Sequence, residues 1–500
     1  MKRCKFQLNL LLTLSLVMTV MPEAMAQQDR PNVLFIVVDD LNDWIGALNG
    51  HPQAKTPNLD RLAKKGVLFA NAHAQAPLCN PSRISVLTGL RPSSTGIYGL
   101  APRIRQVEKT RELTTLSQYF AKQGYYTMSA GKVLHGAVSR KERETEYMEW
   151  GPEGTRKGGA EGKIMRKRLD MVDNPLIDWG VLPHGNDTLL EDFQVATWAA
   201  TRIRELEKEA GDRPFFMALG FRRPHVPLLA TEKWFDPFPE EELILPPVPP
   251  HDRDDVPDFA WNLHWKLPEP RLSWLIREDE WKPMVRAYLA CIHFVDAQIG
   301  RVLETLDNSR FNENTIVILW SDHGYHLGEK GISGKNSLWE RSTRVPLIIA
   351  GPGIEGNRKC HEAVELLDIY PTLVELAGIG KKAGLEGQSL VPLLNDVNQD
   401  RMRPAITVHN PGNFAVRTER WRYILYADGS EELYDHARDP HEWINLAGLK
   451  QFGRIKKELA KWIPTQIEPL APGSKNRILE ERDGEWYWEG ERIDRKNLVQ

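Results

Sequence analysis

The sequence predicts an α/β protein with a large mixed, mostly parallel sheet flanked by helices. Short apolar runs rich in β-branched residues are typical of strands buried on both faces. Longer amphipathic stretches alternate with these runs, as they do when helices connect parallel strands. The predicted strands cover residues 33–38, 215–219, 315–319 and 345–349, and the predicted helices include 191–207 and 284–306.

The first 26 residues have the pattern of an export signal. Basic residues in the first five positions precede an apolar stretch at 8–21, and Ala24 and Ala26 form a small-x-small cleavage pattern. A retained membrane anchor is the alternative, but the stretch is short for a spanning helix. No second stretch of spanning length follows. We therefore expect a periplasmic or secreted protein without a stable membrane anchor.

The net charge of the chain narrows the classes of binding partner. The 500 residues carry a formal net charge of -3, which gives no general attraction to nucleic acid, so a polyanionic substrate would have to meet local basic residues.

Cys79, Cys291 and Cys360 would remain after cleavage, too few for a disulfide-built scaffold. Cys291 and Cys360 could pair, but Cys291 lies on the apolar stripe of a predicted helix, which favours a reduced core cysteine.

Acidic residues follow two of the predicted strands directly. Asp39 and Asp40 follow the first predicted strand, and Asp322 and His323 follow the third. Functional groups collect at such strand ends in open α/β sheets, and carboxylates are suitable ligands for Ca²⁺. A turn or a helix cap is the alternative reading of adjacent aspartates.

Cys79 begins the run C-N-P-S-R-I-S-V-L-T-G. Pro81 is expected to begin a helix at 81–86, which would direct backbone N–H groups and the positive end of the helix dipole at the site. Arg83 lies one turn further on. The alternative interpretation is a buried free cysteine without a catalytic role.

Further cations and imidazoles occur in short motifs along the chain. Lys132 and His135 lie three residues apart in G-K-V-L-H, His225 follows Pro224 in R-R-P-H-V-P, and Lys335 lies in I-S-G-K. Singly, each is as compatible with a surface or core position as with a functional one. Together they supply the charge neutralisation and proton transfer that an ester hydrolase needs.

Taken together, D-D-L-N-D-W, C-N-P-S-R, G-K-V-L-H, R-P-H-V-P and D-H-G-Y-H-L-G-E resemble the sulfatase family, and are similar to its iduronate-2-sulfatase branch, over about residues 31–447. The resemblance implies an alkaline-phosphatase-like fold. It also implies that a formylglycine-generating enzyme converts Cys79 into formylglycine. One Ca²⁺ ion is then implied, held by Asp39, Asp40, Asp322, His323 and the modified Cys79.

The same resemblance implies the roles of the remaining site residues. Arg83 would hold the formylglycine hydrate, Lys132 would bind sulfate oxygens, and His135 would take the proton that regenerates the aldehyde. His225 and Lys335 would contact sulfate and assist the departing oxygen. The implied substrate is a sulfated oligo- or polysaccharide, and we expect the 2-O-sulfate of a uronic acid in a glycosaminoglycan.

The predicted organisation is a signal peptide at 1–26, a catalytic domain at 27–398 and a C-terminal subdomain at 399–500. The last contains short predicted strands around the Asp428-Gly429 turn signal, which indicate a small antiparallel sheet. Two long stretches without periodicity, 136–190 and 237–270, are either walls of the site or surface insertions.

Three functional questions stay open at this level. Arg222 and Arg223 either meet a substrate carboxylate or form structural pairs. A phosphoesterase or phosphonate hydrolase of the same superfamily is one rival function, although a two-metal version needs a second ligand cluster. A non-catalytic binder of sulfated glycans is the other.

Overall fold

The structure is a computed structural model that describes residues 30–136, 138–153, 177–182, 185–209 and 211–494. The predicted signal peptide and the middle of the first long insert, 154–176, lie outside the described residues. Among the residues described, no helix combines the length and the apolar character needed to cross a bilayer.

The strands alternate with helices as the sequence predicts. In chain order the strands are β1 (Asn32–Val38), β2 (Val67–Phe69), β3 (Ala72–His73), β4 (Tyr126–Gly131), β5 (Glu149–Trp150), β6 (Trp179–Val181), β7 (Phe215–Phe221), β8 (Leu228–Ala230), β9 (Thr315–Ser321), β10 (His326–Leu327), β11 (Ser333–Gly334), β12 (Arg344–Val345), β13 (Leu347–Ala350), β14 (Arg358–Cys360), β15 (Val364–Glu365), β16 (Ala405–Val408), β17 (Phe414–Arg417), β18 (Trp421–Leu425), β19 (Glu431–Asp435), β20 (Leu479–Arg482), β21 (Glu485–Trp488) and β22 (Glu491–Arg492).

The helices cover both faces of the main sheet. They are α1 (Pro57–Lys65), α2 (Cys79–Thr88), α3 (Pro92–Thr95), α4 (Glu108–Arg111), α5 (Leu116–Lys122), α6 (Arg140–Glu146), α7 (Glu191–Lys208), α8 (Leu272–Arg277), α9 (Trp281–Asp307), α10 (Glu340–Thr343), α11 (Ile369–Leu376), α12 (Val391–Asn395) and α13 (Gly453–Ala460). The predicted helices at 191–207 and 284–306 correspond to α7 and α9.

The main sheet has eight strands in the order β14-β2-β13-β9-β1-β7-β4-β5. Strand β1 lies parallel to both β7 and β9, and β4 lies parallel to β7 and β5. Strand β13 is antiparallel to its neighbours β9 and β2. The predicted fold class, a mixed and mostly parallel sheet flanked by helices, is therefore confirmed.

The prediction of one continuous strand at 345–349 is wrong. Pro346 separates β12 from β13, and the two pieces pair in different sheets, β12 with β3 and β13 with β9. Proline has no backbone N–H to donate to a ladder, so a change of sheet at this residue costs no hydrogen bond.

Alternate residues of β1 build two separate cores. Leu34 and Ile36 pack in the core that contains α7 and α9, whereas Val33 and Phe35 pack in the core that contains α5 and α11. Cys291 belongs to the first core and Cys360 to the second, so the two thiols lie on opposite faces of the sheet. The prediction of core cysteines rather than a disulfide between them is confirmed.

The second long insert is exposed or half-buried over most of its first half and buried mainly from Val256 onward. Its residues between Val256 and Trp265 form a hydrophobic core with strands β17, β18 and β19 and with the β20–β21 hairpin. The predicted small antiparallel sheet exists as the four-stranded sheet β16-β17-β18-β19. This sheet lies wholly after residue 398, and the domain boundary at that position stays a prediction.

A buried charge network ties this sheet to the main body. Arg422 of β18 is fully buried, pairs with Glu340 of α10 and lies 2.5 Å from Glu442. It also donates to the Leu338 carbonyl at 2.9 Å. Arg417 of β17 pairs with Glu340 as well, at 3.2 Å.

We predict that Arg422→Ala lowers the free energy of unfolding by about 3–5 kcal/mol, because it leaves two carboxylates buried without their partner. Urea denaturation followed by tryptophan fluorescence measures this loss. Arg420→Ala is the matched control, since Arg420 pairs with Asp435 at the surface. Equal denaturation midpoints for the two variants would contradict the structural role given to Arg422.

Candidate active site

The ends of β1 and β9 bring the predicted acids together. The two strands are parallel and in register at Val38 and Ser321, so the residues that follow them meet at one edge of the sheet. Asp39, Asp40 and Asp322 are all fully buried there. Asp40 adopts φ 63° and its N–H donates to Oδ1 of Asp322 at 3.1 Å. This hydrogen bond holds the two strand ends against each other.

Cys79 is the first residue of α2 and is buried at the same edge. The helix therefore begins two residues earlier than Pro81, where the sequence placed its start. Asn80 explains the difference, because its side chain donates to the carbonyls of Gly99 and Pro102, both at 3.0 Å, and so fixes the first turn. The sulfur thus lies at the helix N-terminus, where backbone N–H groups favour an anion.

Three nitrogen groups surround the sulfur. Sγ of Cys79 lies 3.2 Å from Nε2 of His323, 3.3 Å from Nζ of Lys335 and 3.9 Å from Nζ of Lys132. Burial alone would raise the pKa of the thiol. The positive charges of Lys132 and Lys335 lower this pKa by more than burial raises it, so the thiol pKa lies below its ordinary value. The position therefore favours a negatively charged group.

Arg83 joins the acids of both strands. It donates from Nε to Asp322 at 2.8 Å and from Nη2 to Asp39 at 3.1 Å, with only 1% of its side chain exposed. Its Nη1 donates to the backbone carbonyls of Lys132 and Val133. In this structure Arg83 thus contacts the acids and the Lys132 segment.

The two lysines pair with the first two acids. Lys132 pairs with Oδ2 of Asp39, and Lys335 lies 2.5 Å from Oδ1 of Asp40. Burial lowers the pKa of Lys335, but Asp40 and Cys79 raise it more, so the net pKa is raised. Asp39 has a pKa well below its usual range, because Lys132 and the neighbouring cations outweigh the effect of burial. Lys335 therefore stays charged beside the thiol.

His135 and His225 line the cleft in front of Cys79. His135 follows Lys132 in a turn after β4, and burial with the charge of Lys132 lowers its pKa to about 3. Burial and Lys132 also lower the pKa of His225 well below its usual range. The Nδ1 of His225 lies 2.7 Å from the Val226 carbonyl, which assigns the proton to Nδ1 and leaves Nε2 as an acceptor.

The donor atoms fit a divalent metal ion. Ligand atoms of Asp39, Asp40, Cys79 and His323 lie within 4.8 Å of one another. Oδ2 of Asp40 is buried without a hydrogen-bond partner, and burial raises the pKa of this carboxyl to about 7. Burial lowers the pKa of His323, but Asp322, Cys79 and Asp40 together outweigh burial and raise the pKa to about 9. These groups therefore hold a proton on the imidazole that a cation would replace.

Asp322, the fifth predicted ligand, lies beside this group. Its Oδ2 is 3.7 Å from Nε2 of His323 and accepts from Arg83. Its Oδ1 accepts from the N–H groups of Asp40 and His323, both at 3.1 Å. The structure thus brings the five predicted ligands to one place.

The catalytic candidates open onto a cleft of about 440 Å³. Part of its wall consists of residues that carry no sequence motif and that sequence reasoning missed: Leu100, Val138, Arg143, Tyr147, Trp150, Ile177, Glu269 and Arg477. Several belong to the first long insert. The second insert contributes only Pro268 and Glu269 to the lining.

Arg222 and Arg223 follow β7 with different surroundings. Both backbone N–H groups donate to Asp192, at 2.6 and 2.9 Å, which fixes the turn after the strand. Arg223 donates from Nε to the Leu229 carbonyl, a structural contact. Arg222 lines the cleft but pairs with Glu191 at 3.2 Å.

The structure has the alkaline-phosphatase-like fold. The structure matches the phosphonate monoester hydrolase of Agrobacterium radiobacter with a TM-score of 0.68 and 22% identity, over 86% of this chain and 94% of the other. It matches a 2-O GAG sulfatase with a TM-score of 0.66 and 24% identity, over 86% and 90%.

The sequence comparisons define the family within this class. A sulfatase family model matches residues 31–379, and a model of the N-sulphoglucosamine sulphohydrolase C-terminal region matches 328–468. A sulfatase of Formosa agariphila is 43% identical over 87% of each chain. Iduronate 2-sulfatase of Mus musculus is 32% identical over 70% of this chain and 69% of its own. The chain belongs to the sulfatase family.

A pair of glycines positions Lys132. Gly131 of β4 and Gly220 of β7 are register partners, and the Lys132 N–H donates to the Gly220 carbonyl at 2.9 Å. A Cβ at Gly220 would lie only 2.1 Å from the Lys132 carbonyl carbon. This backbone contact leaves no room for a side chain.

We therefore expect Gly220→Ala to displace Lys132, lower stability by about 1–3 kcal/mol and reduce turnover of 4-nitrophenyl sulfate. Thermal unfolding and initial rates measure the two effects. Gly448→Ala is the control, because a Cβ at Gly448 meets nothing within 4 Å. A Gly220→Ala enzyme with wild-type rates would show that Lys132 does not depend on this contact.

Proposed function

We propose that this protein is an exported sulfatase that hydrolyses an O-sulfate ester of a carbohydrate through a formylglycine formed from Cys79 and one Ca²⁺ ion. The observation that carries the proposal is the position of Cys79, at a helix N-terminus between two lysines and beside three strand-end acids. Asp39, Asp40, Asp322, His323 and the modified Cys79 would hold the ion.

The two groups would supply complementary chemistry. The hydrate of formylglycine would supply one hydroxyl as the nucleophile toward sulfur and a second hydroxyl that permits later elimination of sulfate, and Ca²⁺ would supply positive charge to sulfate oxygens. A thiol matches a hard cation poorly, so the carbonyl form suits the acids around position 79 better than cysteine does.

The protein's own residues then carry charge and protons. Lys132 and Lys335 lie on the open side of Cys79 and neutralise sulfate oxygens as charge develops there. His135 is neutral at ordinary pH because burial lowers its pKa, so it can accept the proton released when the aldehyde is regenerated. Arg83 holds the acids in position for both steps.

Lys335, whose Nζ lies 3.3 Å from Sγ of Cys79, is the candidate general acid that carries a proton. Its pKa is raised and the ammonium group remains protonated. His225 has a lowered pKa and an Nε2 that accepts rather than donates. We therefore assign proton donation to Lys335 and substrate orientation to His225.

The relatives support the substrate class. Iduronate 2-sulfatase is a relative by sequence and a 2-O GAG sulfatase by structure. We propose a uronate 2-O-sulfate in a glycosaminoglycan-type chain as the substrate. Export by the 1–26 segment, maturation by a formylglycine-generating enzyme, and the absence of a nucleic-acid partner or stable membrane anchor belong to the same proposal.

Cys79→Ala is predicted to abolish sulfate-ester turnover while the variant remains folded, because the attacking group is removed. Peptide mass spectrometry of active wild-type protein should show an aldehyde in place of the thiol at position 79. Full activity of Cys79→Ala, or of protein with only unmodified cysteine, would refute the mechanism. Binding of sulfated glycan without turnover by the aldehyde-containing wild type would favour the non-catalytic rival.

Removal of divalent metal with EDTA should lower both turnover and the melting temperature, since a ligand bound only by the folded state stabilises it. Added Ca²⁺ should restore both. Asp40→Asn, which removes a charge from the buried donor set, should make the melting temperature insensitive to EDTA and Ca²⁺. Wild-type protein that EDTA leaves unchanged would count against a metal site.

The phosphonate hydrolase alternative has one observation in its favour, the similarity of fold to such an enzyme. Rates on matched aryl sulfate and aryl phosphonate monoesters separate the two functions. We expect the sulfate ester to be preferred, and a strong preference for phosphonate would overturn the proposed function.

A further inference from the structure

The cationic side chains that line the active-site cleft differ in whether a carboxylate already neutralises them. Lys132 and Lys335 pair with Asp39 and Asp40. Arg222 pairs with Glu191, and Arg143 lies 2.7 Å from Glu153. Each of these four cations therefore has a carboxylate partner in this structure, and the two lysines are already assigned to the ester sulfate.

Arg477 is the fifth cleft-lining cation, and it is different. Among the described residues, no ion pair or side-chain hydrogen bond of its guanidinium group is found. The side chain is half-buried. An arginine held in a cleft without a protein partner has its five N–H donors available for a ligand.

The backbone around Arg477 is fixed rather than loose. Its N–H donates to Oε1 of Glu489 at 2.6 Å, and its carbonyl accepts from Nδ2 of Asn410 at 3.2 Å. The preceding Asn476 accepts from the N–H of Leu100, itself a residue of the cleft wall, at 3.1 Å. These contacts hold the segment against the residues that follow α3.

The local conformation is strained. Arg477 has φ 71° and Asn476 has φ 62°, a region that costs free energy for a residue with a branched or long side chain. The neighbouring Gly99 permits the close approach, because a Cβ there would lie 2.6 Å from Ile478 and 2.9 Å from the Asn476 carbonyl oxygen. The surrounding hydrogen bonds keep an unfavourable conformation that directs Arg477 to the cleft.

Other groups of the same wall suit a sugar. Trp150 and Tyr147 provide aromatic surface. Oε2 of Glu269 is buried without a partner and can accept a hydrogen bond from a sugar hydroxyl. Arg477 adds a positive charge to this wall, where the other arginines, Arg143 and Arg222, are paired with carboxylates of the protein.

We propose that Arg477 is a specificity-determining residue that binds a second anionic group of the substrate, a carboxylate or a second sulfate, beyond the ester that is cleaved. This inference rests on the proposed sulfatase function and deepens it. Arg477 lies after residue 468, where the second family model ends, so neither family match covers it. It recognises substrate and does not touch the reacting sulfur.

The test compares kcat/KM of wild type, Arg477→Ala, Arg477→Lys and Arg482→Ala on three disaccharides. The first carries a uronate 2-O-sulfate and an N-sulfated glucosamine, the second has the uronate carboxyl reduced to a hydroxymethyl group, and the third has N-acetyl in place of N-sulfate. Arg482 is the matched control, an arginine of the adjacent hairpin that pairs with Glu480 at the surface.

Arg477→Ala should lower kcat/KM on the first disaccharide about 10- to 100-fold, mainly through KM, as expected for loss of a hydrogen bond to a charged group. Arg477→Lys should recover part of this loss and Arg482→Ala should show none. The defect should vanish on the substrate that lacks the group that Arg477 binds, the reduced uronate for a carboxylate or the N-acetyl sugar for a sulfate.

An equal loss on all three disaccharides would overturn the inference while leaving the sulfatase function intact, because it would indicate a structural role for Arg477. No loss on any of them would overturn it as well. Wild-type protein that contains formylglycine and cleaves none of the three would instead refute the proposed substrate class, and the inference with it.

Discussion

The ion pairs that Arg83 makes with Asp39 and Asp322 are the interaction on which the site depends. Both carboxylates and the guanidinium group are removed from water, and a buried charge that loses its partner costs several kcal/mol. The three groups therefore remain together or the edge of the sheet opens. Because Arg83 lies one turn after Cys79 on α2, the same pairs also fix the sulfur above the strand ends.

The site contains more carboxylates than Arg83 alone can neutralise. Lys132 and Lys335 neutralise one oxygen each of Asp39 and Asp40, and Oδ2 of Asp40 is left buried without a partner. The acids hold the pKa of His323 at about 9, which adds another positive charge. This balance favours a divalent cation among the acids, since such an ion would free the two lysines to face sulfate on the other side of Cys79.

The sequence predicted which acids lie together at the site because parallel strands impose its geometry. Once residues 33–38 and 315–319 are recognised as neighbouring buried strands, the acids that follow them must meet at one edge. Cys79 and Arg83 were recognisable because both lie in the C-N-P-S-R run, which resembles the sulfatase signature. Local effects that no pattern records were missed: Asn80 moved the helix start, and Pro346 divided a predicted strand between two sheets.

Recognition of the sugar was beyond the same reasoning for a physical reason. The reacting groups come from strand ends and one helix, where period and register fix neighbours. The rest of the cleft wall comes from the segment around Trp150, from Glu269 near the end of the second insert, and from Arg477. No periodic pattern links these three segments, and only tertiary packing brings them together. Binding free energy from parts of the substrate remote from the reaction also contributes to the rate. The residues that identify the family therefore differ from those that we propose select its substrate, and the second set has to be found in the structure.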